Sequence, residues 1–265
     1  MRYFKLVLVF LLAQAAFAQQ FEKIAFIESD VKLFTTDELE KLYIAQKDVI
    51  ELYDHDGTFL FRNSGKRFGQ ISSVDATYSL KPIVFFKEQI EMMVLDNTLS
   101  LQGEVVPLDL HGYPQASLVC ASVQSNYWVY DQLNLELIRL NSQFRKLTST
   151  GRLDQLLNIE PDPNFLIEYN NWVYLSDPLN GVLVFDTYGT YYKTIPLLGL
   201  DQLQVRGNNI YFFKDGKFQG YNMVSFEQAE LKVPEENAIH ARKEKQRLFV
   251  QTDKGIAIYR IIANK

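Results

Sequence analysis

The sequence predicts an all-β fold, a β-propeller of six blades whose ring is closed by the N-terminal strand. Three observations predict it: a strand motif recurs about every 41 residues, each repeat holds several short strands joined by polar turns, and helix signals are few. Because the repeats differ in sequence, five or seven blades remain alternatives. A two-sheet β-sandwich is the other alternative, but sandwiches rarely repeat at such an interval.

The repeat is clearest from Asn170 to Ile195, where three strand-like runs alternate with turns. Trp172–Tyr174 is followed by an Asp-Pro-Leu-Asn-Gly turn, then by Val182–Phe185 and a turn that starts at Asp186. Alternating side chains in such runs suit strands that pack on their faces. Six repeats align on this first strand, at Leu42, Ile83, Trp128, Trp172, Ile210 and Leu248.

A further strand precedes each aligned strand and is the predicted inner strand of its blade. Ile71–Ala76 and Leu118–Val123 are examples, and their small residues suit the crowded centre of a ring. The last repeat is short after Tyr259, whereas Phe21–Ile27 is a spare strand at the other end of the chain. Pairing that spare strand with the last repeat would complete the sixth blade and remove two exposed edges.

Two short segments carry helix signals. Thr35 and Glu38 have the spacing of a helix N-terminal capping box, which would cover only a turn or two. Asp154–Leu157 is the second candidate for a short helical turn.

Residues 1–18 have the three parts of a secretory signal peptide. Arg2 and Lys5 are basic, Leu6–Leu12 is a short apolar run, and Ala16–Ala18 supplies small residues for cleavage before Gln19. The apolar run is too short to cross a bilayer, and an uncleaved anchor is the alternative. We therefore expect a single propeller domain over residues 19–265, soluble after cleavage and exported to the periplasm.

Composition narrows the class of partner. The chain has 27 Lys and Arg against 32 Asp and Glu, a net charge of −5, which disfavours nucleic acid and anionic membrane surfaces as partners. The single cysteine, Cys120, cannot form an internal disulfide and lies in an apolar strand-like run. We predict that it is buried as a small hydrophobic residue rather than kept as a reactive thiol.

No residue cluster predicts metal binding. His55, His111 and His240 lie in three different repeats beside turn residues, which predicts solvated loop histidines rather than a zinc site. Asp54–Gly57 resembles the start of a calcium loop, but no carboxylate follows at the required spacing, so a tight turn is the better interpretation. We expect no metal and no cofactor.

Catalytic signatures are equally scarce. Glu160 and Asp162 are close in sequence, but the flanking prolines predict a stiff, solvated loop rather than a catalytic pair. The basic run Arg242–Arg247 is interrupted by Glu244 and predicts a solvated loop between strands, with an anion site as the less favoured alternative. Neither a Gly-x-Ser-x-Gly elbow nor a Gly-rich phosphate loop occurs. We expect no catalytic residue and no enzyme activity.

Two short segments are candidates for a partner-binding surface. Tyr188, Tyr191 and Tyr192 follow the turn at Asp186, and outward-facing tyrosines often anchor protein contacts. Leu197 and Leu198 lie in an apolar connection between two repeats, which would form a docking patch if it were exposed. Packing within or between blades is the alternative for both segments.

The repeats, taken together, resemble those of six-bladed propellers of the NHL and YWTD groups. The resemblance spans the chain after residue 18 and consists of the pattern alone, without a diagnostic motif. It implies a propeller fold. Some similar propellers are calcium-dependent lactonases with a central metal, but their metal-binding residues find no match here, so that activity is not implied.

The Ala-Phe-Ala-Gln-Gln stretch at Ala16–Gln20 and the Tyr- and Phe-rich, disulfide-free chain resemble periplasmic proteins of the Bacteroidetes. Among these, the chain is similar in size and character to the plug subunit of the type IX secretion translocon. The resemblance implies a non-enzymatic protein-interaction module that docks on an outer-membrane complex and plugs or gates a channel. A calcium-dependent hydrolase of the lactonase type, or a propeller that binds glycans or peptides, remains the alternative.

Overall fold

The computed structural model describes residues 20–262, which form six four-stranded antiparallel sheets. The sheets are blades arranged in sequence order around a central channel, so the predicted all-β propeller with six blades is confirmed. Five-bladed, seven-bladed and sandwich architectures are excluded. No helix among the described residues is long and apolar enough to cross a membrane. The predicted signal peptide, residues 1–18, lies outside the described residues.

Strand β1 (Gln20–Glu28) comes first in the chain but belongs to the last blade. Blade 1 contains β2 (Leu33–Thr36), β3 (Leu42–Gln46), β4 (Val49–Tyr53) and β5 (Phe59–Ser64). Blade 2 contains β6 (Ser73–Asp75), β7 (Ile83–Phe86), β8 (Glu91–Val94) and β9 (Val106–Pro107). Blade 3 contains β10 (Ala116–Ser122), β11 (Asn126–Asp131), β12 (Glu136–Leu140) and β13 (Lys146–Ser149).

Helix α1 (Leu153–Leu157) lies in the connection to the second half of the ring. Blade 4 contains β14 (Phe165–Tyr169), β15 (Trp172–Asp177), β16 (Gly181–Asp186) and β17 (Tyr191–Ile195). Blade 5 contains β18 (Leu203–Arg206), β19 (Asn209–Lys214), β20 (Lys217–Asn222) and β21 (Gln228–Leu231). Blade 6 contains β22 (His240–Glu244), β23 (Arg247–Thr252), β24 (Gly255–Ile262) and the first strand of the chain.

The ring is closed by the two ends of the described chain. Strand β1 pairs antiparallel with β24, with Gln20 opposite Ile262 and Glu28 opposite Gly255. The predicted donation of the N-terminal strand to the last blade is therefore confirmed. The six aligned residues also fall on equivalent strands, since each lies in the second strand of its blade. The predicted inner strands Ile71–Ala76 and Leu118–Val123 overlap β6 and β10.

The hydrophobic core is divided into layers between neighbouring blades. Tyr43 of blade 1 packs with Phe86 of blade 2, and Trp128 of blade 3 packs with Phe185 of blade 4. Each blade is thus covered on both faces, which explains why a strand such as β3 reads as a nearly continuous apolar run. Cys120 belongs to the layer between blades 3 and 4 and is fully buried, as predicted.

The helix signals have different outcomes. The capping-box prediction at Thr35–Glu38 is wrong, because Thr35 lies in β2 and the strand is followed by a turn instead of a helix. The buried Asp37 carboxylate holds this turn by accepting the backbone N–H groups of Leu39 and Lys41, each at 2.9 Å. The second prediction, Asp154–Leu157, is confirmed by α1.

Five turns between the third and fourth strands of their blades share one hydrogen-bond pattern. In each turn, the side-chain oxygen of its first residue accepts the backbone N–H two residues later and another N–H three or four residues later. These first residues are Asp54, Asp96, Asn141, Asp186 and Asn222. The tight turn predicted at Asp54–Gly57 is the first of the five, and they form one repeated Asx turn.

Candidate functional site

The innermost strands of the six blades surround a cavity of ≈ 410 Å³, which we call the channel. Its walls combine apolar side chains with hydroxyl and charged groups, in contrast to the apolar layers between blades. Such a mixture, at a point where several elements converge, is typical of small-molecule sites. The channel is therefore one candidate functional site.

Hydrogen bonds between neighbouring blades join the carboxyl ends of the inner strands. Thr36, which ends β2, donates to the carboxylate of Glu244, which ends β22, at 2.6 Å. Asp75, which ends β6, accepts the backbone N–H of Ala121 near the end of β10, at 2.8 Å. The carboxyl ends of these strands thus meet at one end of the channel, which we call the carboxyl face. The repeated Asx turns lie on the same side, because the first and third strands of an antiparallel blade run in the same direction.

Glu244 is the centre of one buried network at the carboxyl face. Arg206 donates to its two carboxylate oxygens, from Nε at 2.7 Å and from Nη2 at 2.6 Å, and Gln204 donates at 2.6 Å. Burial acts to lower the pKa of Arg206, but the hydrogen bonds and the charge of Glu244 outweigh it and raise this pKa. Glu244 is therefore fully engaged by residues of blades 1 and 5.

Arg242 lies on the same strand but has no equivalent partner among the residues that the structure describes. It is 3% exposed and lines the channel, and its Nε donates to the Thr36 hydroxyl at 3.2 Å. No carboxylate lies within 4.0 Å of its guanidinium among residues 20–262. Burial, together with the charge of Arg206, lowers the pKa of Arg242 to about 10, so the group stays protonated at neutral pH.

The prediction of a solvated loop at Arg242–Arg247 is wrong. Arg242 and Glu244 belong to the innermost strand of blade 6, and Arg247 begins the next strand; all three are buried. A sequence pattern cannot show this, because the residues that satisfy Glu244 and Arg247 come from other blades. Arg247, for example, pairs with Asp56 of blade 1 at 2.9 Å.

Glu168 forms a second buried network, between blades 3 and 4. Its carboxylate accepts hydrogen bonds from the Ser122 hydroxyl at 2.6 Å, the Trp128 indole at 2.7 Å and the Val123 N–H at 3.0 Å. Arg139 donates to the same Ser122 hydroxyl at 3.0 Å. The cluster contains no exposed nucleophile, and its hydrogen bonds assign it a structural role.

The three predicted loop histidines differ in their environments. His55 and His111 are exposed, as predicted. His240 is not a solvated loop residue, because it begins β22 and its ring packs against Phe34 and Phe213 with centroid distances of 5.3 and 6.3 Å. Its Nε2 is buried and finds no hydrogen-bond partner within the described part of the chain, and burial lowers the pKa of His240 to about 3.

The remaining chemical candidates differ in their surroundings. Cys120 is buried, and burial raises the pKa of its thiol. Within residues 20–262, no three His, Cys, Asp or Glu side chains are grouped as a set of metal ligands. Asp162 lines the channel, whereas Glu160 is an exposed residue of the preceding loop.

A second candidate site is an exposed cluster of aromatic residues across blades 4 and 5. Tyr192, 60% exposed, packs on Trp172 at a centroid distance of 4.8 Å. The Lys193 ammonium lies 5.6 Å from the Tyr192 ring and 5.8 Å from the ring of Phe226, which is 67% exposed. We call Trp172, Tyr192, Lys193 and Phe226 the aromatic surface. It flanks two of the Asx turns and so lies toward the carboxyl face.

The predicted partner-binding residues lie at both ends of β17. Tyr188 is 75% exposed in the turn before the strand, whereas Tyr191 is half-buried and packs against Phe185. Leu198 is exposed beyond the other end of the strand, but Leu197 is buried in the layer between blades 4 and 5. The two predicted segments therefore do not form one surface.

Sequence reasoning missed Phe226, which completes the aromatic surface. It lies in the turn that starts at Asn222, far from the tyrosines in sequence. Recognising Asn222 as a counterpart of Asp186 would have placed both turns on the same face. The signal, an Asp or Asn at the end of a blade's third strand, was weak, since the residues after Asn222 differ from those after Asp186.

Solved structures with the same fold place the chain in the class of β-propeller proteins. No family model and no curated protein matches the chain. Among solved structures, a Bacteroides thetaiotaomicron protein of unknown function superposes with a TM-score of 0.64 at 14% identity, covering 92% of this chain and 76% of that one.

Two further solved structures have the same fold. A streptogramin B lyase superposes with a TM-score of 0.62 at 10% identity, covering 92% of this chain and 98% of the lyase. A Bacteroides fragilis protein described as exported superposes with a TM-score of 0.60 at 10% identity, covering 93% of this chain and 95% of that one. At such identities the likeness is one of fold.

Proposed function

We propose that the chain is a non-enzymatic protein-interaction module of the periplasm, which docks on an outer-membrane complex through the aromatic surface. The observation that carries the proposal is the exposure of Tyr192 and Phe226 on two adjacent blades, with Lys193 between them. Large exposed aromatic side chains that lie together across two elements are characteristic of protein-binding surfaces.

The chemistry of the surface suits a folded protein partner. Tyrosine, tryptophan and phenylalanine supply large contact areas and are enriched in the buried cores of interfaces. Lys193 lies over both rings, so a partner that fills the space between Tyr192 and Phe226 would bring an acidic group to its ammonium. The expected partner surface is therefore apolar with a carboxylate at its centre.

The fold keeps this surface preformed. Arg139 of blade 3 donates to the backbone oxygen of Thr187 in blade 4 at 3.1 Å, and the Thr148 hydroxyl donates to that of Tyr188 at 2.8 Å. These bonds fix the turn beside the aromatic surface to the neighbouring blade. A rigid surface loses little conformational entropy on binding, which favours a stable complex.

The particular complex we propose is a type IX secretion translocon, with the propeller as its periplasmic plug or gate. Its support is the resemblance of the leader and of the Tyr- and Phe-rich chain to Bacteroidetes periplasmic proteins. The Bacteroides fragilis fold neighbour described as exported agrees with a location outside the cytoplasm. A propeller domain with an exposed aromatic surface suits a role that requires docking without chemistry.

Site-specific photocrosslinking in the native host tests the proposal. A photoreactive phenylalanine analogue would replace Tyr192 or Phe226, and a control chain would carry it at Leu110, which is 80% exposed in the connection between blades 2 and 3. We expect the first two positions to crosslink to one outer-membrane protein and the control not to. The double variant Tyr192→Ser/Phe226→Ser should lose co-purification of that protein.

Two results would contradict the proposal. One is equal crosslinking from Leu110, which would show that the aromatic surface is not the contact. The other is purification of the folded protein alone, at normal abundance, from gently solubilised envelopes. A crosslinked protein outside secretion machinery would retain the docking role and exclude the translocon as its site.

A further inference from the structure

We propose that the channel is a binding site for a small organic carboxylate, which the guanidinium of Arg242 anchors. This inference is independent of the aromatic surface and of the protein partner. It rests on polar side chains from several blades that face one cavity of ≈ 410 Å³ and that, within residues 20–262, keep at least one N–H or O–H donor without a protein acceptor.

The first observation is the environment of Arg242. Its side chain is buried and lines the channel, and its one hydrogen bond within residues 20–262 runs from Nε to Thr36. Both terminal nitrogens of the guanidinium thus have no protein acceptor in the described chain. A buried charge without a partner is costly, and Glu244 cannot serve as its ion-pair partner, because Arg206 binds that carboxylate bidentately.

The second observation is a set of hydroxyl groups on the same walls. Thr35, Ser73 and Ser117 come from the inner strands of blades 1, 2 and 3, and all three line the channel. None of these hydroxyls has a hydrogen-bond partner among the contacts of residues 20–262. Together with the guanidinium, they place donors from four successive blades on the walls of one cavity, and donors of these types bind oxyanions.

The walls indicate that the ligand carries one negative charge and an apolar part. Phe34, Val74, Val119, Leu166 and Ile167 line the same cavity. The carboxylates of Asp75, Asp162 and Asp201 also line it, so a dianion such as phosphate would meet about twice the repulsion that a single carboxylate meets. The volume falls in the range of about 300–1,000 Å³ that is usual for sites of small organic ligands.

A competing explanation is that Arg242 is structural. Asp75 and Glu244 act on it at longer range and favour its charged form, so they could balance its charge without a ligand. The two explanations predict different stabilities for the ligand-free protein. Replacing a structural arginine lowers its stability, whereas replacing a buried cation whose partner is a ligand leaves its stability unchanged or raises it.

Calorimetric titration of the purified full chain tests the proposal, with three probes: phenylacetate, its neutral amide phenylacetamide, and inorganic phosphate. We expect phenylacetate to bind one per chain and more tightly than either of the others. The variant Arg242→Gln should weaken phenylacetate binding by about tenfold or more, because a charge-assisted hydrogen bond is lost. Its melting temperature without ligand should equal or exceed that of the unmodified protein.

The matched control is Lys217→Gln, which removes one positive charge from an exposed ion pair with Glu230. It should leave phenylacetate binding unchanged. The proposal is overturned if none of the probes binds at millimolar concentration, if phosphate binds more tightly than phenylacetate, or if Arg242→Gln binds as well as the control. A lower melting temperature of ligand-free Arg242→Gln would assign the residue the structural role instead.

Discussion

Gly255 lies so close to the first strand that a Cβ atom on it would come within 2.0 Å of the carbonyl oxygen of Ile27. Its φ of +150° is also unfavourable for residues with a side chain. The two residues lie where β24 and β1 pair, so the seam that closes the propeller requires glycine at this point. The atom in the way is backbone, which cannot move aside as a side chain could.

We predict that Gly255→Ala lowers the free energy of unfolding by about 2–3 kcal/mol, because the added methyl group separates the closing strands. Urea denaturation followed by tryptophan fluorescence measures the change. Gly103→Ala is the control, since a Cβ there meets no atom of residues 20–262 within 4 Å and only the positive φ opposes it. Equal losses in the two variants would show that the seam does not constrain Gly255.

Removing the Glu168 carboxylate should destabilise the protein at the contact between blades 3 and 4. The substitution Glu168→Ala leaves Ser122, Val123 and Trp128 with buried donors that lack an acceptor, and we expect a loss of about 3 kcal/mol or more. Chemical denaturation gives the value. Glu230→Ala, at an exposed ion pair, should cost less than about 1 kcal/mol; a comparable cost would contradict the role of Glu168.

Stability should fall in mild acid because of His240. Its native pKa is about 3, whereas an unfolded histidine titrates near the ordinary value of 6.5. Between these values the unfolded chain binds a proton that the native protein does not, so the contribution of His240 to stability is lost as the pH falls from about 6.5 toward about 3.

The variant His240→Phe removes the imidazole that binds this proton, and its phenyl ring suits the aromatic contacts with Phe34 and Phe213. Between about pH 7 and pH 5, we expect it to lose up to about 2 kcal/mol less stability than the unmodified protein. Urea denaturation across this pH range makes the comparison, with the exposed His111→Gln as control. Parallel pH profiles for all three proteins would refute the assignment.

The thiol of Cys120 should be unreactive in the folded protein. It is fully buried beside Trp128, and burial raises its pKa, so little thiolate exists and no reagent reaches it. We expect no reaction with a disulfide reagent at about pH 8 over hours, and reaction of one thiol per chain within minutes in denaturant. Rapid labelling of the native protein would mean that the layer between blades 3 and 4 opens readily.

The Asx turn at Asp186 should contribute measurably to stability. Its Oδ1 accepts the N–H groups of Tyr188 and Thr190, each at 2.8 Å. We predict that Asp186→Ala costs about 1 kcal/mol, whereas Asp186→Asn, which keeps the acceptor, costs little. Melting temperatures distinguish the two. An Asn variant as unstable as the Ala variant would show that the negative charge, not the hydrogen bond, holds the turn.

Much of the architecture could be predicted because it depends on local pattern repeated at a regular interval. The alignment at Trp128 and Trp172, and the spare strand before Ile27, led to the blade count and the closure. Turns were predicted at Asp54 and Asp186, but the hydrogen bond that they share was not, and its recurrence at Asp96 and Asn222 was missed, since the residues that follow each acceptor differ. The donor is a backbone N–H, so the pattern leaves few marks in the sequence.

The candidate sites depended on contacts between residues that are distant in the chain. Phe226 approaches Tyr192 only because two blades are adjacent, and Arg206 reaches Glu244 across the same kind of boundary. For this reason the run that begins at Arg242 was predicted to be solvated although it forms an inner strand. Charge in a sequence indicates solvation unless a partner is known, and here the partners lie in other blades.

The sequence by itself determined the fold class, the repeat and the way the ring closes, because alternation and turn residues act within a few positions of one another. Only the tertiary structure decided which charges are buried, which aromatic side chains remain exposed, and that Arg242 faces a cavity with no carboxylate within 4.0 Å among residues 20–262. These properties depend on what each blade presents to the next, and that is set when the six sheets close into a ring.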